Sequence, residues 1–491
     1  MSKEEIEKLS RVEVGDDYEV VRMRPAELLT PANYVDILAK YLYAKAHRDG
    51  TLTDWTVALY LRHLMVRNRL FDGVERASAA AFRESFHALL DSIAKEGFDE
   101  KRSIVSVTRT LDILDGYHRV AAALLYGGEI TVVKTARPWP AWGADSFRKR
   151  GLEETFLDQA SLEYCRVNPH ARLAVIFPIV KDKYEAIRDM LAAHTVYYEK
   201  HFVPTIQGVG NLIAQMYKPK DWLNAATRDR HAVRRFVRGA PVRILLLNPK
   251  TQEDLVKTKA GIRKMFDHEN LPIHTSDDRE ETLRVAEQVF NEHSIHFWNN
   301  AHPTKFENFS KLFERYKEWI RTNHYDKDEF CVDGSAVLAA YGLRDCGDFD
   351  YLSLRDTRSD VEKVRSHNDF LYLHSRPLVE LVSDPRNYFY YDGHKFLALE
   401  REIEFKARRR DPQDARDVAL MRAVPAGKSF PRTLGRALTP KRLWNHAVMH
   451  GVHALWRMYI LLPKKTRPFA VKLYGALKKI YQAVRKLVWK Y

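Results

Sequence analysis

Val332–Leu352 reads VDGSAVLAAYGLRDCGDFDYL, and the fold of the C-terminal half turns on it. Gly334-Ser335 opens a helix over AVLAAYG, and Gly342 ends it. Asp348-Phe349-Asp350-Tyr351-Leu352 then has strand character. In a strand, alternation puts Asp348 and Asp350 on one face and Phe349 and Tyr351 on the other. Two carboxylates on one face repel each other unless a cation sits between them. Mg²⁺ (or Mn²⁺) takes oxygen ligands and is held by one or two carboxylates plus substrate phosphates. A third carboxylate is expected from a neighbouring strand in RPLVELVSDPRNYFYY, where Glu380 lies in an apolar run. An acid in such a run needs a partner. Asp384 is the weaker candidate, because SDPRN has turn character.

This constellation resembles the nucleotidyltransferase fold of the DNA polymerase β type. The family pattern is an apolar residue, Gly and Gly or Ser, then about a dozen residues later Asp-apolar-acid-apolar, then a strand with one more acid. Gly334-Ser335, Asp348-Phe349-Asp350-Tyr351 and Val379-Glu380-Leu381 stand at those places. Asp333 departs from the pattern, which has an apolar residue there. FLALEREIEFKARRRDPQDARDVALM resembles the helix, basic hinge and D-x-x-D helix that follow in bacterial members. The resemblance implies a metal site at Asp348, Asp350 and Glu380, with Glu380 assisting deprotonation of the acceptor. It also implies a phosphate cradle at Gly334 and Ser335. Lys406, Arg408, Arg409 and Arg410 would meet a nucleoside triphosphate or an acidic acceptor, while Arg416 and Asp417 are expected on the helix surface.

Outward from that stretch, ILDGYHRVAAALLYGG is the second informative segment. Asp115-Gly116 turns from a strand into a helix whose first turn carries His118 and Arg119. Free N–H groups at a helix start attract anions, and Arg119 can fork onto phosphate oxygens. FRESFHALLDSIAKEGF, SIVSV and LDILDGYHRVAAALLYG together resemble the ParB/sulfiredoxin fold over roughly residues 17–140. Sulfiredoxins carry a catalytic cysteine just before the His-Arg pair, whereas Tyr117 stands here. That departure argues against sulfiredoxin chemistry. ParB-type proteins follow the fold with a helix-turn-helix, and no such segment is evident. A third branch of this fold phosphorylates free serine. It implies nucleotide phosphates on Asp115, Gly116, His118 and Arg119, and a catalytic carboxylate near the first strand, for which Glu27 is the positional candidate.

The expected fold class is α/β and α+β in several domains, with boundaries at 1–140, 141–325, 326–425 and 426–491. The middle block has strands in RLAVIFPIV and VRILLLNP, and helices around Tyr184–Ala193 and Asp278–Asn291. Its His274, Asp277, Asp278, His293 and His296 lack a trusted ligand spacing. Asp277 and Asp278 fit a helix N-cap instead.

A chain of 491 residues with a net charge of +15 and three cysteines suits a multidomain protein of a reducing compartment. The acidic, polar N-terminus shows no signal peptide. The basicity is local. Val418–Tyr491 holds 16 Lys and Arg and no acid, which exceeds the net charge of the whole chain. In RPFAVKLYGALKKIYQAVRKLVWKY, Leu473, Leu477, Ile480, Val484, Leu487 and Val488 recur at helical spacing among basic residues. Such a helix suits the headgroup region of an anionic membrane, at about 1 kcal/mol per basic residue.

The combined expectation is a cytoplasmic enzyme, peripheral on the inner face of the membrane. It would be a Mg²⁺-dependent nucleotidyl- or phospho-transferase acting on a sugar, polyol or glycan acceptor, of the kind used in polysaccharide biosynthesis. Its N-terminal domain would bind a nucleotide and have kinase character. The rival is a nucleic-acid protein: a ParB-like binder, or a toxin-type nucleotidyltransferase modifying RNA or protein. A third reading is a scaffold with vestigial sites. The nucleotide base, the acceptor identity and the oligomeric state stay open.

Overall fold

The computed structural model describes residues 2–68, 78–140, 142–217, 225–266 and 271–424. The basic tail expected to meet a membrane lies outside them. The protein is mixed α/β, with three small sheets. The described residues belong to one compact unit, Met1–Ala426. No helix among the described residues is long and apolar enough to cross a membrane.

The first sheet joins β1 (Tyr18–Met23), β2 (Val105–Thr108), β3 (Ile113–Asp115) and β4 (Ile130–Thr135) in the order β1-β4-β2-β3. β2 runs parallel to β4, while β1–β4 and β2–β3 are antiparallel. Helix Tyr117–Tyr126 follows β3 as expected and packs small residues, Ala121 to Ala123, into the core. Helices Tyr34–Arg48 and Asp54–Asn68 pack beside it.

The second sheet is antiparallel throughout: β5 (Arg172–Ile176), β6 (Val196–Phe202), β7 (Val242–Leu247) and β8 (Ile273–Thr275), in the order β6-β7-β5-β8. Tyr34 ties this block to the first. Its ring meets Tyr164 and Tyr197 edge-on at 5.7 and 5.5 Å. In the expected cap of helix Arg279–Val289, the Asp278 carboxylate accepts from the N–H of Glu281 at 2.8 Å.

The third sheet holds β9 (Phe330–Asp333), β10 (Phe349–Ser353), β11 (Val364–Ser366), β12 (Tyr388–Tyr391) and β13 (His394–Leu397), ordered β11-β10-β9-β13-β12. Every residue of β9 and β10 is buried. Helix Glu307–Thr322 explains one face. Phe309, Leu312, Phe313, Tyr316, Trp319 and Ile320 recur at helical spacing and form its buried stripe. Tyr316 lies 4.9 Å from the ring of Phe349, and Trp319 5.1 Å from that of Tyr351. Burying each β10 ring is worth about 2–3 kcal/mol. That packing locks the register and turns Asp350 to the opposite face.

Candidate functional site: a buried acidic cluster at the Gly334 turn

β9 and β10 pair antiparallel with Asp333 directly opposite Asp350. Like charges in that position are destabilising unless something compensates them. Gly334 makes the approach possible. Its φ is +65°, and a Cβ there would lie 2.9 Å from Asp350 Oδ2. Asp348 stands just before β10, half-exposed, and accepts from Ser335 Oγ at 3.3 Å. The Gly-Ser turn and the two aspartates of the opening stretch are therefore neighbours in space.

Sequence reasoning missed the rest of the cluster. His367 follows β11. Its Nδ1 lies 3.1 Å from Asp333 Oδ2, and its Nε2 3.4 Å from Asp350 Oδ2. His374 Nε2 is 3.5 Å from Asp333. Helix Leu399–Arg409 contributes Glu402, fully buried, whose Oε2 accepts the N–H of Gly334 at 3.0 Å. Asp350 Oδ1 and Glu402 Oε1 are buried with no hydrogen-bond partner among the described residues.

The electrostatics follow from this crowding. Burial opposes ionisation of Asp333, yet His367 and His374 hold it well below the usual carboxylate range. Asp350 is pushed up to about 7 by burial, reinforced by Asp333, Asp348 and Glu402 and only partly offset by His367. Burial would lower His367, but the charge and hydrogen bond of Asp333, with Asp350, carry it up to about 9. Burial raises Glu402 to about 7, against the pull of Lys406. Four acids thus meet a charged histidine, one shared lysine and, 4.0 Å from Asp348, Arg365.

Glu380 does not join them, which corrects the expected set. VELV is helical here, within Leu378–Ser383, rather than a strand. The Glu380 carboxylate accepts the N–H of Asp54 at 2.8 Å, at the start of helix Asp54–Asn68. Burial, Asp384 and Asp54 raise its pKa. Among the described residues no group of three or more His, Cys, Asp or Glu is placed to hold a metal ion. What the turn offers a divalent cation is the oxygen pair Asp348 and Asp350. Two carboxylates are a number Mg²⁺ uses beside phosphates and water, and Asp350 Oδ1 is buried without a hydrogen-bond partner among the described residues.

Of the four expected basic triphosphate contacts, Lys406, Arg408 and Arg409 are committed elsewhere, and Arg410 is exposed. Lys406 is buried between Asp417 at 3.1 Å, Asp414 at 3.4 Å and Glu402 at 3.7 Å. Arg409 pairs with Asp414 at 2.8 Å and Asp411 at 3.0 Å. Arg408 donates to the carbonyl of His374 at 2.8 Å. Asp417 is buried, not superficial, and takes both arms of Arg344 at 2.6 Å. These bonds clamp helix Asp414–Ala423 onto its predecessor. The Gly334 N–H, expected on phosphate, is used by Glu402.

The N-terminal turn is likewise self-satisfied. Gly116 takes φ +117°, and a Cβ there would meet Val105 at 3.0 Å. Arg119 is buried, pairs with Asp115, and donates to the carbonyl of Ile104 at 2.7 Å. His118 turns inward to the Tyr60 hydroxyl at 2.9 Å and stands edge-on to Phe86. Glu27 accepts from the backbone and side chain of Arg24, both at 3.2 Å. At the expected phosphate grip, Asp115, His118 and Arg119 are thus bonded within the fold and Gly116 permits close packing. Nearby lies a network the sequence did not announce. Asp36, buried, is paired with Lys40, with Arg67 at 3.2 Å and with His63 at 3.5 Å. In the middle block His274 bonds Glu281 at 2.7 Å and His296 the Tyr341 hydroxyl at 3.1 Å.

Compared with family models, curated proteins and solved structures, the chain matches none.

Proposed function

We propose that the third sheet carries a Mg²⁺-dependent nucleotidyl- or phospho-transferase site acting on a hydroxyl of a sugar, polyol or glycan. One observation carries the reading: Asp350 is buried opposite Asp333, beside Asp348 and the Gly334-Ser335 turn, with an oxygen that has no hydrogen-bond partner among the described residues. Buried acids of like charge at a turn with no room for a side chain cost stability, and a bound cation offsets that cost.

Asp348 and Asp350 hold the ion together with phosphate oxygens of a nucleoside triphosphate. The ion supplies charge neutralisation at the transferring phosphoryl group. His367, kept charged by Asp333, fixes Asp350 in place. Ser335 orients Asp348. Glu402 braces the Gly334 turn through its N–H. In the transfer, the acceptor oxygen bonds to phosphorus as the bond to the leaving phosphate oxygen breaks, and the hydroxyl proton leaves for solvent. Glu380 has no part in this scheme. In this reading the first sheet supports the fold, with His118 and Arg119 bonded to Tyr60, Asp115 and Ile104. The basic tail would bring the enzyme to an anionic membrane.

The test is incubation of the full chain with each labelled nucleoside triphosphate, Mg²⁺ and a panel of sugar and polyol phosphates, with products read by mass. The reading expects a conjugate that depends on Mg²⁺ and is absent with Asp350→Asn. No conjugate under any condition would remove its support.

A further inference from the structure

A second site lies away from the acidic cluster. A cavity of about 910 Å³ opens between β6 and the segment Gly143–Glu154, and Glu292 and Ile295 close it on a third side. Its size falls within the roughly 300–1,000 Å³ range of small-molecule sites.

Three observations describe what it would take. First, its lining is balanced. Four Lys or Arg residues and four Asp or Glu residues line it. Arg148 pairs with Glu154 at 2.9 Å, and Arg243 and Arg188 reach Glu199 at 3.2 and 3.5 Å. Each guanidinium keeps further N–H donors, and each carboxylate further lone pairs, that such pairs do not saturate.

Second, β6 is the edge strand of its sheet, paired only with β7. Its outer backbone edge borders the cavity. Arg148 Nη2 already donates to the Glu199 carbonyl there at 3.1 Å, so side-chain donors reach this edge.

Third, the wall at Glu154 is backed by a buried hydrogen-bonded cluster. The Tyr198 hydroxyl lies 2.6 Å from Glu154 Oε1 and 2.8 Å from Asp158 Oδ1. A phenol has one proton, so both contacts are hydrogen bonds only when one carboxyl is protonated. Asp158, buried and paired with Lys200, is pushed up to about 6 by that burial. Of this cluster Glu154 is the part-exposed member, and it lines the cavity in front of buried Asp158.

We propose that this cavity binds a neutral, hydroxyl-rich small molecule, a sugar or polyol. Hydroxyls donate to carboxylates and accept from guanidinium groups at the same time, so they match an alternating wall. A polyanion would meet as many carboxylates as cations. An apolar ligand would bury charges without partners. The assignment does not depend on the acidic site being catalytic.

The test is saturation-transfer NMR on the full chain with D-glucose, ribitol and maltose as probes and inorganic phosphate as competitor. At least one neutral probe is expected to receive saturation. Phosphate should not displace it, and Asp350→Asn should leave it unchanged. Glu292→Gln and Glu199→Gln should each weaken binding about tenfold, the worth of one charge-assisted hydrogen bond. Glu292 is exposed, so its variant decides if Glu199→Gln does not fold. Four results would overturn the proposal: no transfer to any of the three probes, displacement by phosphate, loss of binding in Asp350→Asn, or unchanged binding in folded Glu292→Gln.

Discussion

Asp333 and Asp350 stand directly opposite one another across β9 and β10, with His367 touching both. The pair is held by the fold rather than by its own chemistry. Aromatic packing of Phe349 and Tyr351 on the far face fixes the register, and Gly334 leaves no side chain to push the strands apart.

Asp350→Asn should raise stability in metal-free buffer at neutral to mildly alkaline pH. The Asp350 pKa is raised to about 7 in the folded chain. Between the unfolded value of about 3.9 and that value, the folded state holds a proton the unfolded state has lost. Stability therefore falls as pH rises through this window, and the destabilisation is complete above it. Asparagine removes that fall. Melting curves of both proteins from pH 4 to 8 check it, with divergence expected to grow toward pH 8.

Gly334→Ala should destabilise by about 1–3 kcal/mol, because its backbone is in a region nearly reserved for glycine. The added methyl would also press on Asp350 Oδ2 at 2.9 Å. Urea denaturation reads the loss as a lower midpoint. An unchanged midpoint would mean that the turn can relax.

Glu380→Gln should leave Mg²⁺-dependent nucleotide binding intact. Its carboxylate faces Asp54, and the glutamine oxygen keeps the 2.8 Å hydrogen bond from the Asp54 N–H. Loss of nucleotide binding in this variant would restore Glu380 to the site.

Asp36→Ala should cost about 3–5 kcal/mol, since it leaves buried Lys40 without its carboxylate. The same network makes the protein acid-sensitive. Despite burial, Lys40, His63 and Arg67 hold Asp36 below the usual carboxylate range, and burial with Lys40 holds His63 below the usual imidazole range. Stability from His63 is full above its unfolded pKa of about 6.5 and is lost as pH falls below it. Stability from Asp36 is full above about 3.9 and is lost further into acid. Denaturant midpoints measured from pH 7.5 down to about 2 should fall in that order.

Much of this architecture was legible in the sequence. The strand, strand, turn, helix, strand order of residues 103–135 and the Gly-Ser, helix, Asp-x-Asp order of the third sheet followed from glycine punctuation and alternation. Glu380 was misplaced because VELV is too short for periodicity to separate a strand from one turn of helix. Pro377 at its N-cap was the available signal. Glu402 was hidden in EREIEFKARR, where charges suggest a solvated face. Yet Leu399, Glu402, Phe405 and Lys406 share the buried stripe, so an acid at an apolar position marked it. His367, His374 and Asp333 meet only through tertiary packing of β9 with the segment after β11, which local pattern does not encode. The basic residues were misread for a related reason: sequence shows a charge but not the acid that already neutralises it, as with Lys406 or Arg119.

The most direct measurement is equilibrium dialysis of each labelled nucleoside triphosphate against the full chain, with and without Mg²⁺. Retention of at least one nucleotide only when Mg²⁺ is present, abolished by Asp348→Asn and by Asp350→Asn in folded protein, is the predicted result. Retention of none, or retention indifferent to the ion and to both substitutions, would contradict the account.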